Sequence, residues 1–496
     1  MSSLVQIRSV CLHGLRAVRQ HATREPARVA ACAFLLAFSA IAQPSEAATA
    51  FGVTTESRVP QFRDRDTVVF LGDSITHSRK WHRYVMDAYL TRFPERHIRY
   101  VNAGSSGDTA KGALKRLDRD VLSHRPNVVV VMLGMNDVKR ELYAQGPASE
   151  ATIAERREAL KGFRDAMIEI ATRLRASSVR DLIFVVSSPY DDTSRINTPN
   201  LPGVNEALRQ AGITLSEIAP RYGAAVVDLH GPMTAINTAR QSQDPVFTLV
   251  GSDRVHPGDP GQLLMAYLFL RAQAIPALVT ETIIDAQTRA VRKCFRCQVD
   301  NASLKDGVFE FDMTALSLPF PVEAAASPAL EWAPIQNELG RELLCVAGLR
   351  PGRYTLMIDS ITVGGFDDGE LKECVDLSNL ETTPQLRQAR EVTAMNEQRR
   401  QSMVLLRDFC RFEDAVLGPA HLLAATEAEQ RKYVAGWLEE LKARNEGQHR
   451  YFNALAERYF KNKPAEEQIR DDVERTSARL AEANQPSTHR YRVVAQ

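Results

Sequence analysis

Between Thr67 and about Ala290, five short apolar runs alternate with segments whose apolar residues recur every three or four positions. The runs are Thr67–Leu71, Ile98–Val101, Val128–Leu133, Leu182–Val186 and Ala224–Leu229, each only four to six residues long and rich in valine and isoleucine. An apolar run that does not alternate with polar residues must be buried on both faces, the condition of a parallel strand in a helix-covered sheet. Alternation of such strands with helices predicts a doubly wound, flavodoxin-like α/β domain with five parallel strands, over residues 66–290. Trp81, Tyr84, Val85, Ala88 and Tyr89 share one helical face, and that helix must end near Pro94. Thr152 with Glu155 has capping-box spacing and is expected to open the long helix carrying Leu160, Phe163, Met167 and Ile170.

Beyond Ala290 the period changes to two. Phe309, Phe311 and Met313 alternate with acidic residues, as Tyr354, Leu356 and Ile358 alternate with others after the Arg350-Pro351-Gly352 turn. A small antiparallel β-unit is expected over 292–380. From 384 to 496 the chain is charged and helix-periodic, with Val434, Trp437, Leu438 and Leu441 on one face. Breaks at Gly418-Pro419 and Pro464 exclude a long coiled coil, so these helices are expected to pack back on the body, with Tyr491–Val494 adding a terminal strand.

The first fifty residues have the pattern of an export signal. Five arginines precede an apolar stretch from Val29 to Ala42, and small residues offer cuts after Ala47 or Ala50. That stretch is short for a membrane span, and none follows, so an exported, periplasmic or extracellular chain without stable membrane insertion is expected. At 44% hydrophobic and 25% charged residues the composition is that of a globular protein, which excludes bulk disorder. A formal charge of +1 without a basic stripe excludes the usual nucleic-acid binder. Cys294, Cys297, Cys345, Cys374 and Cys410 would remain after cleavage in an oxidising compartment. At least one disulfide is expected, with Cys294 and Cys297 bridged to each other or separately; no metal and no cofactor are expected.

The first strand runs directly into Gly72-Asp73-Ser74-Ile75-Thr76. A serine there sits at the carboxyl edge of the sheet, where open α/β sheets bind ligands, with its hydroxyl and N–H both free to face one point. Three further segments fall at the same edge: Asn102-Ala103-Gly104-Ser105-Ser106-Gly107-Asp108, Gly134-Met135-Asn136-Asp137, and Ser252-Asp253-Arg254-Val255-His256.

With these four blocks in order, the chain resembles the SGNH (GDSL) serine hydrolase superfamily over about residues 66–275. The runs GDSITHS, NAGSSGDTA and VMLGMNDV, with GLRPGRYTLMIDS and the helical tail, are similar to exported bacterial acylhydrolases. The resemblance implies an SGNH-type fold and a carboxylic ester hydrolase with Ser74, Asp253 and His256 as catalytic residues. It also implies an oxyanion hole from Ser74, Gly104 and Asn136. The residue chemistry agrees: an imidazole can take the serine proton near neutral pH, a carboxylate three residues earlier can fix its tautomer, and an asparagine amide donates without adding charge.

Asp73 and Asp137 are acceptors, unsuited to an oxyanion, and are expected to serve as scaffold. His77 and His82 are expected to be exposed or to line a cleft near the nucleophile, and His230 to lie in the core. Ser188-Pro189-Tyr190-Asp191-Asp192 lies on the catalytic edge as either a substrate-contact loop or a polar turn. Its hydroxyl, phenol and carboxylates suit sugar hydroxyls, so the expected substrate is a small-molecule or polysaccharide ester, chiefly O-acetylated carbohydrate. A lipid acylhydrolase and a non-catalytic carbohydrate-binding protein on the same fold are the alternatives.

Overall fold

The computed structural model describes residues 59–77, 79–143 and 147–496. The expected export signal, 1–50, lies outside the described residues. Five strands, β1 (Thr67–Gly72), β2 (Arg99–Gly104), β3 (Val128–Met132), β4 (Asp181–Val186) and β5 (Ala225–Asp228), form an all-parallel sheet in the order β2-β1-β3-β4-β5. This is the flavodoxin-like order expected. Side chains alternate between the two faces: Val68, Phe70, Val128, Val130, Ile183 and Val185 join one core. Val69, Leu71, Val129, Val131, Leu182 and Phe184 join the other. The three central strands, β1, β3 and β4, are buried on both faces, which is why they read as apolar runs.

The nucleophile turn α1 (Ser74–His77) follows β1. Helices α2 (Trp81–Arg92) and α7 (Asp259–Ala272) contribute to the first core, and α3 (Ala110–Lys115) and α4 (Glu150–Arg175) to the second; α5 (Val204–Ile218) and α6 (His230–Gln241) lie between α4 and α7 in sequence. Helix α4 begins earlier than expected. Ser149, not Thr152, is its cap, accepting the Thr152 N–H at 3.1 Å. Thr152 is thereby inside the first turn, and the capping-box reading is corrected.

The β-unit comprises two sheets rather than one. Strands β6 (Leu278–Asp285), β7 (Val291–Phe295), β10 (Arg341–Ala347) and β13 (Val375–Asp376) form a four-stranded sheet in which β6 and β10 run parallel. The second has the order β12-β11-β14-β9-β8, built from β8 (Cys297–Lys305), β9 (Val308–Ala315), β11 (Arg353–Ile358), β12 (Ile361–Asp367) and β14 (Thr488–Ala495). The terminal strand is therefore central, pairing antiparallel with both β9 and β11, and Tyr491 stacks on Phe311 at 5.0 Å.

One disulfide, Cys345–Cys374, closes a 29-residue separation. Cys294 and Cys297 are free thiols, contrary to expectation. They flank Arg296, whose φ of 49° bends the chain between β7 and β8. The buried Cys297 sulfur lies 3.1 Å from Thr282 Oγ1 instead of being bridged.

The C-terminal helices α8 (Pro384–Phe412), α9 (Glu427–Arg444), α10 (Glu446–Asn462) and α11 (Glu466–Ala483) build their own core from Phe409, Phe412, Val434, Leu438, Leu455 and Tyr459. Helix α8 also docks on the α/β body: Asn396 donates to the buried Asp87 at 2.7 Å, and Arg407 to the Gly104 carbonyl at 3.0 Å. This cover explains why α2 is buried on nearly every side, Arg83 and Asp87 included.

Candidate active site

Ser74 opens α1 at the carboxyl end of β1, so its N–H is one of the donors that a helix's first turn leaves free. The Thr76 and His77 N–H groups bond back to the Asp73 carbonyl at 3.2 and 2.8 Å, fixing the turn. Ser74 Oγ lies 2.7 Å from His256 Nε2, and His256 Nδ1 lies 2.6 Å from Asp253 Oδ2. The Asp253 carboxylate also accepts the backbone N–H groups of Val255 and His256, at 3.0 and 2.8 Å. Burial works against its charge, but the His256 ring and these amides outweigh burial and hold Asp253 well below the usual carboxylate range. An ionised Asp253 accepts a hydrogen bond from Nδ1–H, leaving Nε2 as the acceptor that faces the serine hydroxyl.

Asn136 donates from Nδ2 to the Asp108 carbonyl at 2.8 Å, which ties the loop after β3 to the loop after β2 and leaves its second amide hydrogen. Gly104 does not sit as expected. Its N–H donates to Asn102 Oδ1 at 2.9 Å and its carbonyl accepts from Arg407, so both of its backbone groups are already engaged. Its lack of a side chain serves close approach: a Cβ there would lie 2.3 Å from the His77 nitrogen. The oxyanion role read for Gly104 is therefore corrected. Gly107, three residues on, is exposed, has φ 76° and sits on the turn that Asn136 grips. The sequence signal was available in the glycine immediately before Asp108 and the helix-capping Thr109, a position suited to positive φ.

Asp73 and Asp137 act as scaffold: Asp73 accepts the Ile75 N–H at 2.9 Å, and Asp137 the Ala110 N–H at 2.8 Å. Burial pushes their carboxyls up to about 6 and about 7. His77 and His82 are neither exposed nor in a cleft, at 1% and 0% exposure. His82 Nε2 faces the Thr76 carbonyl at 3.0 Å, while His77 bridges the β2 loop and α8. The expectation failed because α8, over 300 residues away, covers this side. His230 is buried against Asn205, as expected.

Ser188–Asp192 is a polar turn rather than a substrate-contact loop. Ser188, Tyr190 and Asp191 are buried, and Asp191 is spent on the N–H groups of Thr193 and Ser194. The segment's task is to hold the catalytic loop. Arg254, 3% exposed and with φ 63°, donates to the carbonyls of Asp191, Ser194 and Ile196, and so pins the stretch between Asp253 and His256. Arg116 was also missed; it reaches the carbonyls of Gly72 and Ala103 and the Asp108 carboxylate, linking the ends of β1 and β2. Both are arginines that gather backbone carbonyls from segments distant in sequence, a need invisible without the fold.

Residues 70–264 match the GDSL-like Lipase/Acylhydrolase family. Those residues form an SGNH-type acylhydrolase domain. The chain is 24% identical to an acetylxylan esterase from Geobacillus stearothermophilus over 221 residues, 42% of this chain and 93% of that protein. Among solved structures, a gut microbial diltiazem-metabolizing enzyme superposes with a TM-score of 0.81 at 28% identity, covering 89% of this chain and 100% of that one. A solved acetylxylan esterase from Geobacillus stearothermophilus gives 0.36 at 22% identity, over 44% of this chain and 97% of that one. The likeness at 0.81 covers too much of the acylhydrolase to be confined to its α/β body. The enzyme is a carboxylic ester hydrolase, and among the described residues no helix is long and apolar enough to cross a membrane.

Proposed function

We propose that the acylhydrolase is an exported serine esterase that removes short acyl groups, chiefly acetyl, from carbohydrate through an acyl-enzyme. The observation that carries the chemistry is the continuous line Asp253–His256–Ser74, with links of 2.6 and 2.7 Å. Ser74 Oγ attacks the ester carbonyl while its proton passes to His256 Nε2. The oxyanion takes hydrogen bonds from the Ser74 N–H, the Asn136 amide and the N–H of Gly107, in the place first read for Gly104. His256 then gives its proton to the departing alcohol oxygen. Water, activated by the same imidazole, releases the acid and restores Ser74.

The short-acyl carbohydrate reading rests on exposure and on kinship. The side chains of His256 and Asp253 are 24% and 53% exposed, which suits an ester carried on a bulky hydrophilic polymer better than a long chain needing burial at about 0.8 kcal/mol per methylene. A cavity of about 800 Å³ lies instead between β2, α8 and α11, and none of the catalytic residues lines it. The acetylxylan esterase relative points the same way. Export is favoured by the N-terminal pattern and by the Cys345–Cys374 bridge, since disulfides persist outside the reducing cytosol. The test is a panel of acetyl, butyryl and octanoyl aryl esters with acetate release from acetylated xylan, pectin and peptidoglycan. Acetyl preference with release from at least one polymer is expected. Faster octanoyl turnover with no polymer deacetylated would replace this reading with a lipid acylhydrolase. A periplasmic protein whose N-terminus begins at Ala48 or Phe51 is the expected mark of export.

A further inference from the structure

Helix α8 ends over the turn that carries Gly107. A side chain on Gly107 would meet the Arg411 guanidinium at 3.7 Å, and Arg407 holds the Gly104 carbonyl just before the turn. Between these contacts runs a second chain of serine, histidine and aspartate. The Ser106 N–H donates to His77 Nδ1 at 3.2 Å, with Ser106 Oγ 3.0 Å from the same nitrogen. On the other side of the ring, His77 Nε2 lies 3.2 Å from Asp408 Oδ1, and Arg458 of α10 holds the second Asp408 oxygen at 2.8 Å. The His77 carbonyl in turn accepts from Asn102 at 2.8 Å. His77 is thus the last residue of the nucleophile turn, hydrogen-bonded to the residue before Gly107 and facing a carboxylate from the C-terminal helices.

We propose that Asp408–His77–Ser106 is a positioning relay through which the C-terminal helices hold the Ser106–Gly107 turn in its oxyanion-binding geometry. This rests on the reading of Gly107 as a donor. The logic is that of the catalytic aspartate turned around. Nδ1 can accept the Ser106 N–H only while the proton sits on Nε2, and the Asp408 carboxylate, 3.2 Å from that nitrogen though not aligned with it as a hydrogen bond, favours a proton there by its charge. With the tautomer fixed, Ser106 N–H has a fixed partner, and the next peptide, whose N–H belongs to Gly107, is aimed. Burial also keeps the ring neutral, since it lowers the His77 pKa despite Asp408. A loose oxyanion turn costs turnover rather than binding, because the donor acts on charge that appears only in the transition state.

The experiment uses the full chain with an aryl acetate, together with the rate at which an aryl phosphonate labels Ser74. Asp408→Leu removes the acceptor and is expected to lower kcat by about 10- to 100-fold, short of the ~10²–10³ lost on deleting a donor outright, with KM within about twofold. Phosphonylation should slow in parallel. Asp408→Asn retains an oxygen for the Nε2 proton and is expected to recover most of the loss. Asp414→Asn, which breaks the Arg119–Asp414 pair elsewhere between body and tail, should leave both rates near wild type. Should Asp408→Leu not fold, His77→Leu against His77→Asn decides, because the Asn side chain can supply an acceptor near Nδ1 and should restore kcat. Unchanged kcat and labelling in folded Asp408→Leu or His77→Leu protein overturns the relay alone. Equal losses in Asp408→Leu, Asp408→Asn and Asp414→Asn overturn it in favour of general loosening of the tail. A wild-type chain that neither turns over the ester nor takes up the phosphonate removes the catalytic reading and the relay with it.

Discussion

Asp253–His256–Ser74 and Asp408–His77–Ser106 use the same three residue types, yet they run through the imidazole in opposite directions. In the first the carboxylate holds Nδ1 and the serine hydroxyl faces Nε2; in the second the carboxylate faces Nε2 and the serine bonds Nδ1. The first ring is 24% exposed at the sheet edge, the second 1% exposed beneath α8. An open imidazole can exchange protons with substrate and water. A sealed one whose acceptor nitrogen is occupied by a backbone N–H has no proton to take up, and its value is rigidity. Residue identity is therefore a poor guide to role, and which nitrogen faces which neighbour is a good one.

The largest contrast between the two lines is chemical. Ser74→Ala should lower kcat by about 10⁴-fold or more, and adding His256→Ala should cost little further, since the pair acts as a unit. Ser106→Ala keeps the backbone N–H that bonds His77 and should retain activity within about tenfold, well short of the loss of a whole oxyanion donor. Steady-state kinetics on an aryl acetate check both. Comparable losses at the two serines would erase the distinction drawn between the lines.

How far the sequence could anticipate this differs between the lines for a physical reason. Ser74 and Asn136 lie just beyond the ends of β1 and β3, and Asp253 and His256 just before α7; these places were legible because the central strands are buried on both faces and read as apolar runs. Gly104 was misread because a glycine needed for close packing and a glycine needed as a donor look alike; only the Asn102 and Arg407 bonds tell them apart. The second line joins residues 77, 106 and 408, and its carboxylate sits on a helix whose docking partner no local pattern reveals. The same holds for Thr488–Ala495, whose alternation marked a strand but not its central place between β9 and β11.

The two glycines offer a sharper break between packing and chemistry. At Gly104 an alanine Cβ must displace the His77 backbone, so Gly104→Ala should destabilise the fold by up to about 3 kcal/mol, the upper range for overpacking. At Gly107 there is room, and the cost is the positive φ alone, about 1–2 kcal/mol. Gly107→Ala should therefore lose more in kcat than its midpoint shift explains, whereas Gly104→Ala should lose chiefly stability. Denaturant melts paired with kinetics measure the split. A Gly107→Ala enzyme with unaltered kcat would return the third donor to some other group.

The smallest expected effect is a pH dependence of stability that belongs to the sealed ring. Burial holds the His77 pKa below its ordinary value, against the raising effect of Asp408. A histidine with a lowered folded-state pKa contributes stability that is present above its unfolded pKa of about 6.5 and is lost as pH falls, because the unfolded chain takes up a proton that the folded chain refuses. The slope for one such group cannot exceed about 1.4 kcal/mol per pH unit. His82, buried and lowered to about 3, adds a contribution of the same sign. Asp73 and Asp137, raised to about 6 and about 7, act in the opposite sense, losing stability as pH rises from the unfolded value near 4 towards those pKa values. Wild-type melts alone therefore mix opposing slopes, and the useful quantity is a difference. The gap in stability between wild type and His77→Asn should change steadily in favour of the variant from pH 6.5 to 5, since the carboxyl contributions are common to both. A gap independent of pH would mean that the folded and unfolded chains take up the His77 proton alike, so that the folded ring gains a proton over this range and its bond to the Ser106 N–H, and with it the contrast between the two lines, does not hold.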